Sequence, residues 1–416
     1  MPVLHSPEII RFAEAEWGEL NTVKKIALIA VTFLYCWNLN ATEPPADEPL
    51  ADEPLATEEM GRVATLPVPY PRHWVIAHDA AFFHMSDGKF VLLDPLADSQ
   101  AEQFKGMFNG SNIAAFAQAT RRPEMYVAET FYARGNRGAR TDVVTIYDRS
   151  TLSPVAEVVL PGAKRSSHMP EKHAFQIVDQ ERLGLVYNFT PAASVTVVDL
   201  VKRVVLSEVS IAGCALIYPT GKRGFSSWCN NGAMLSIQLT ANGNIAASSR
   251  TEPVFDPEAD ALFEKPALYG GVAYFPSLQG EIQPMNLKGE AAQPEQSWWL
   301  TSQQEREEGW RPGGWQLLDV DATGKMYILM HPDGKEGSHK DPGSEVWVYD
   351  LAEQKRLNRI ALNNWGISVA LTRTPEPLLL VTTAEMGVDV YDVNSSSFLR
   401  SLSFGQETPF VIHAVP

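Results

Sequence analysis

Cysteine is scarce in this chain: 416 residues hold three, Cys36, Cys214 and Cys229. So low a count excludes a disulfide-dense mini-domain and the multi-cysteine zinc or iron–sulfur sites. Basic residues are also few, 34 Lys and Arg against 50 Asp and Glu, for a net charge of −16. A nucleic-acid surface needs clustered cations to displace counterions, so nucleic acid is excluded as a partner. The apolar run Ile26 to Trp37, about twelve residues, falls short of the ~20 that span a bilayer. A phosphate loop, HExxH, CxxCH and the GxSxG nucleophile elbow are all missing, which removes the commonest sequence-readable catalytic classes. Helical periodicity is nearly absent after about residue 60. What remains is a chain 45% hydrophobic and 10% aromatic, ample for a large buried core.

The first 60 residues divide in two. VKKIALIAVTFLYCWNLNA (23–41) sets Lys24 and Lys25 before the apolar run and reads as an export signal cleaved near Ala41,. An acidic stretch ahead of the lysines and Leu39 near the cleavage point are atypical, and an uncleaved anchor is the other reading. Between Thr42 and Met60 lie seven acids, no base and a tandem ADEPL, the composition of a solvated linker. The expected organisation is therefore 1–41 extension and signal peptide, 42–60 acidic Pro-rich linker, and 61–416 one domain.

That domain repeats itself. Seven times a β-rich strand closes on Asp, Asn or Gln, turns, and starts a second strand: the closing positions are Asp94, Asp148, Asp199, Gln238, Asn286, Asp350 and Asp392. Spacing near fifty, with four strands per unit, is what propeller blades require. The fold class predicted is all-β, a seven-bladed β-propeller, with an insertion between Asn286 and Asp350 that includes a short helix over SQQEREEGW (302–310). The closing carboxylates are expected to cap their own turns rather than to form a catalytic cluster.

Two further stretches invite a functional reading. MYILMHPDGKEGSHKDPGSEVWVYD (326–350) carries His331 and His339, but eight residues of flexible loop between them do not suit a shared metal ion, and a long hairpin is the simpler reading,. Cys214 and Cys229 flank a turn at Pro219, Gly221 and Gly224, so one disulfide across a hairpin is expected in an exported chain,. Two free buried thiols are the alternative.

The 326–350 stretch, WRPGGWQLL (310–318), RGARTDVVTIYD (137–148), NFTPAASVTVVDL (188–200) and the Cys214–Cys229 segment together resemble the large (heavy) subunit of quinone-dependent amine dehydrogenases, the aromatic amine and methylamine dehydrogenases. The resemblance runs from about residue 89 to the C-terminus. It implies a seven-bladed propeller in the periplasm. It implies a cysteine-dense small subunit as partner, carrying tryptophan tryptophylquinone made from its own tryptophans, in a heterotetramer of two large and two small chains. It implies oxidation of a primary amine to aldehyde and ammonia, with electrons passed to a small copper protein or cytochrome. The quinone and the catalytic base would lie on the small subunit, so no catalytic residue and no metal is expected here. MFNG (107–110) resembles the family segment whose aromatic residue lines the substrate channel, which nominates Phe108 as a channel wall; an inter-blade core position is the competing reading. Trp310, Arg311 and Trp315 are nominated as subunit contact, since Trp and Arg are enriched at interface hot spots. The HPDGKEGSHK loop is nearer the aromatic-amine branch, giving a lean toward aromatic amines. A stand-alone exported propeller, either a metal-dependent hydrolase or a ligand-binding scaffold, is the alternative.

Overall fold

The computed structural model describes residues 65–416 except 81, 83–86, 112 and 167–168. The expected signal peptide and acidic linker therefore lie outside the described residues. What is described is an all-β propeller, built from antiparallel sheets in which most successive strands pair with the one before.

Five blades stand as separate sheets. The second blade runs Ala115–Gln118, Glu124–Arg134, Arg137–Asp148 and Pro154–Leu160. The third begins at Phe175–Val178, the fourth at Cys214–Thr220 and the fifth at Ala267–Tyr269. The first blade is made from both ends of the chain: the C-terminal strand Pro409–Ala414 is its innermost strand and pairs with Val75–Asp79, Ile76 opposite His413. Ring closure is thus held by backbone hydrogen bonds between the first and last strands.

The expectation of seven separate blades is corrected by the remaining sheet, which has eight strands. Its central strand Lys355–Leu371 is 17 residues long and pairs with Gly343–Asp350 through its first part and with Leu378–Thr383 through its second. Nothing in the sequence breaks this strand, because Asn363, Asn364 and Gly366 are absorbed within it rather than ending it.

Burial follows from face-to-face packing of sheets. Middle strands such as Leu183–Asn188, Ser194–Asp199 and Leu378–Thr383 are buried along their whole length, because both of their faces meet a neighbouring blade. Outer strands are exposed, wholly so in Ile245–Arg250.

The turn-closing side chains behave as expected. Backbone N–H groups two and three residues on donate to Asp148 (Ser150, 2.9 Å; Thr151, 3.0 Å), Asp199, Asp350 and Asp392. Asp94 and Asn286 each accept from the residue two on. Gln238 departs from the pattern: its longer amide donates instead to the carbonyls of Thr220 and Glu290. The short helix is Gln303–Glu307, opened by a capping box between Ser302 and Glu305,.

Candidate functional site

In the second to fifth blades the chain enters on the innermost strand, and in the first blade that strand is supplied by the C-terminus, so the starts of these strands, and the long connections leading into them, share one face of the ring. The opposite face carries the short Asp-capped turns. The loop-bearing face therefore holds the side chains free to do something other than fold.

At its centre the segment WRPGGW delivers Trp315. Gly313 and Gly314 are needed for this path. A Cβ at Gly313 would lie 2.6 Å from the Asp341 carbonyl, and one at Gly314, with φ +115°, 2.5 Å from the Ile367 carbonyl. The indole N–H of Trp315 donates to the Pro170 carbonyl at 2.7 Å. The Lys265 ammonium sits 3.9 Å from the Trp315 ring centroid and 3.6 Å from a Glu171 carboxylate oxygen, and Phe410 meets the indole edge-on. One Glu171 oxygen is buried with no hydrogen-bond partner. Burial pushes the Glu171 carboxyl up to about 7, against the pull of Lys265. Four connections from different parts of the chain thus meet at the mouth of the central channel.

Beside it, Lys172 stands at the entry to the innermost strand of the third blade. Burial pushes its ammonium down to about 8, opposed by the carboxylate of Asp319. That carboxylate is already engaged, accepting from Arg373 at 3.0 Å and from the Leu371 N–H at 2.8 Å. No ion pair or hydrogen bond from its ammonium joins Lys172 to another described residue. His78 and His173 are buried, and burial lowers both to about 3, so they are neutral imidazoles at ordinary pH.

The nominated residues separate. Trp315 is turned inward at the channel mouth. Trp310 packs at the periphery on Trp347, 5.2 Å between centroids, with the Arg359 guanidinium 4.5 Å over its ring. Arg311 lines a cleft of about 500 Å³ with Lys335, His339, Glu258 and Asp260. Phe108 is 4% exposed and packs between the first two blades against Phe90 (5.0 Å), Phe116 and Tyr147; on this chain it is a core side chain. His331 is buried at a strand end while His339 sits on the 3₁₀ turn Ser338–Lys340. Among the described residues no three His, Cys, Asp or Glu are grouped as a metal ion requires. Cys214 and Cys229 lie directly opposite in register and form a disulfide, which settles the choice against free thiols. The Glu171, Lys172 and Lys265 group was not legible in the sequence: each sits in an irregular connection, with no spacing to link them.

Fold and face together define a propeller whose functional surface is built from the loops around its channel mouth. The chain belongs to the methylamine dehydrogenase heavy chain family, whose profile matches residues 72–415. It is 28% identical over 339 residues to the methylamine dehydrogenase heavy chain of Paracoccus versutus, covering 81% of this chain and 78% of that one. The corresponding chain of Methylorubrum extorquens is 27% identical over 279 residues, 66% of this chain and 68% of its own length. That of Methylophilus methylotrophus is 25% identical, covering 74% of each. Among solved structures, a putative 6-phosphogluconolactonase from Bacteroides fragilis superposes with a TM-score of 0.56 at 8% identity, over 82% of this chain and 96% of that one. The dihydro-heme d1 dehydrogenase NirN does so with a TM-score of 0.50 at 14% identity, over 85% and 77%. At such identities the likeness is one of fold alone.

Proposed function

We propose that this chain is the large subunit of a periplasmic quinoprotein amine dehydrogenase, working with a small subunit that carries tryptophan tryptophylquinone. The observation that carries the reading is the family match across the whole propeller, residues 72–415. The chemistry such a small subunit supplies is oxidation of a primary amine with water to aldehyde and ammonia, two electrons leaving for a copper protein or cytochrome. This chain's own tryptophans fit a scaffold role. Trp298 and Trp299 fall on opposite faces of their strand, one buried and one exposed,. Trp310 and Trp347 pack beneath arginines, Trp347 fully buried. Neither pair is presented to an incoming amine.

In this reading the loop-bearing face docks the small subunit, two of each chain assembling together. Arg311 and its cleft offer the polar contact, Trp310 the peripheral aromatic one, and Trp315 the floor at the channel mouth. Phe108 shapes the substrate channel from beneath, through the outer strand Phe104–Ser111 on which Met107 is exposed. The eight-stranded sheet acts as two blades sharing the strand Lys355–Leu371, giving seven in all. The matched relatives are named for methylamine; the HPDGKEGSHK loop, bordering the Arg311 cleft, supports a lean to aromatic amines.

The test is purification from the native host, with mass analysis of co-purifying chains and visible spectra before and after adding methylamine or an arylalkylamine. A small partner whose quinone absorption bleaches with amine supports the reading, and the faster amine decides the substrate. A colourless chain without partner, from cells that oxidise amines, would sink it.

A further inference from the structure

A second cavity opens on the loop-bearing face, at the edge of the fourth blade beside the disulfide. It has a volume of about 410 Å³, within the range of small-molecule sites. Its walls are the aromatic side chains of Tyr187, Phe189, Trp228 and Phe255, with the disulfide as part of its lining. Trp228 and Phe255 meet edge to face at 5.2 Å. Phe189, 50% exposed, stands at the rim.

The cavity is built by a connection pinned at both ends. The segment joining the fourth and fifth blades passes so close to Gly232, at φ +77°, that a Cβ there would lie 2.0 Å from the Phe255 carbonyl. The Val254 N–H donates to the Gly232 carbonyl at 2.8 Å, and further along the Phe263 N–H donates to Pro276 and Leu278 to Ala261, each at 2.8 Å. The hydroxyl of Tyr218 donates to the Glu264 carbonyl at 2.8 Å, fixing the backbone that carries the cavity's carboxylate. Small residues, Ala193, Gly213, Ala215 and Ala261, leave the space unfilled.

Among the described residues that line the cavity there is no Lys, Arg or His, and Glu264 is the one carboxylate; the Arg250 guanidinium reaches only the Cys214 sulfur, at 3.7 Å. The neighbouring ammonium, Lys265, is buried away from it against Glu171 and Trp315. Tyr187 stays neutral, its phenol pushed up to about 12 by burial and by the Glu264 charge. Aromatic faces attract a cation through their quadrupole and an apolar wall desolvates its body. A single carboxylate at an aromatic cavity complements one positive charge on an apolar frame.

We propose that this cavity is a binding site for an organic ammonium ion with an aromatic or bulky apolar body, its charge held by Glu264 and its body by Phe189, Trp228 and Phe255. The site goes beyond amine oxidation at a partner's quinone, because it is complete on this chain alone.

Calorimetric titration of the purified full chain tests it, with phenethylammonium as the cation, 2-phenylethanol as its neutral counterpart and methylammonium as the bodiless charge. Saturable one-site binding is expected for phenethylammonium, roughly tenfold or more tighter than for either control. Glu264→Gln should remove the preference for the cation while leaving 2-phenylethanol unchanged, and Phe189→Ala should weaken both aromatic probes. Equal binding of cation and alcohol, binding untouched by Glu264→Gln, or no saturable binding to the native chain each overturns the proposal. None of these outcomes depends on whether a quinone partner bleaches with amine, so the two readings fail separately.

Discussion

The indole N–H of Trp315 donates to the carbonyl of Pro170, 2.7 Å away and 145 residues earlier in the chain. The contact bridges the eight-stranded sheet to the connection entering the third blade, across the mouth of the channel. Replacing Trp315 by Ala should remove this bond, the ring under Lys265 and the contact with Phe410 together. We expect a cost of about 2–3 kcal/mol, below the ~3–5 of a fully buried aromatic because Trp315 is only partly buried,. Trp315→Phe keeps a ring and should lose only about 1 kcal/mol with the hydrogen bond. Denaturant unfolding of the two variants measures both; equal costs would mean that the hydrogen bond carries the whole effect.

The disulfide closes 15 residues of chain between paired strands of the fourth blade. In the chain-entropy account, cross-links of that span stabilise by about 3 kcal/mol. Cys214→Ser with Cys229→Ser should lower the unfolding midpoint by that order and loosen the edge of the aromatic cavity. A midpoint within error of the native chain would show that the surrounding strands suffice.

How much of this could be read in advance divides along the distance between partners. The capped turns at Asp148, Asp199, Asp350 and Asp392 were legible, because a carboxylate and the N–H groups it accepts are two or three residues apart. So were the short helix within 302–310, found at Gln303–Glu307, and the Cys214–Cys229 hairpin. The eight-stranded sheet was not, because strand length in Lys355–Leu371 is decided by partners on both sides, not by its own turn formers. The channel mouth was least legible. Glu171, Lys265 and Trp315 meet only once the ring closes, and WRPGGW advertised exposed Trp and Arg where Trp315 in fact turns inward. Chemistry held by non-local contacts leaves no period in the sequence.

Lys172 makes stability depend on pH in a direction set by its lowered pKa. Above its ordinary value of 10.5 the amine is neutral in both states. As pH falls from 10.5 toward 8, the unfolded chain takes up the proton first, and folding stability drops until the folded lysine protonates near 8,. At pH 7 the residue is therefore destabilising. The neighbouring charges, Asp319, Arg373 and Glu171, are already paired and leave this burial cost in place. Lys172→Met should raise stability at pH 7 by on the order of 1–2 kcal/mol, after allowance for solvent screening of a side chain that is only partly buried,. It should also abolish the rise between pH 8 and 10.5. Unfolding curves at pH 7 and 10 check it; a variant with the native pH slope would place the titration elsewhere.

Phe108 can be tested for two roles with one substitution. Its ring stacks on Phe90 at 5.0 Å, 10° from parallel, and touches Phe116 and Tyr147. As a core residue alone, Phe108→Ala should cost about 3–5 kcal/mol, and Phe108→Leu about half of that, with no change in catalysis by surviving enzyme. A channel-shaping role adds a second signature. The Tyr147 hydroxyl donates to the Asn109 carbonyl at 2.9 Å, so a cavity at Phe108 loosens the partner that holds the next residue of the outer strand and shifts the wall it presents. In the assembled enzyme, Phe108→Leu should then alter kcat/KM for arylalkylamines relative to methylamine by several-fold at unchanged subunit stoichiometry. A uniform fall across amines, tracking lost stability, would confine Phe108 to the core between the first two blades.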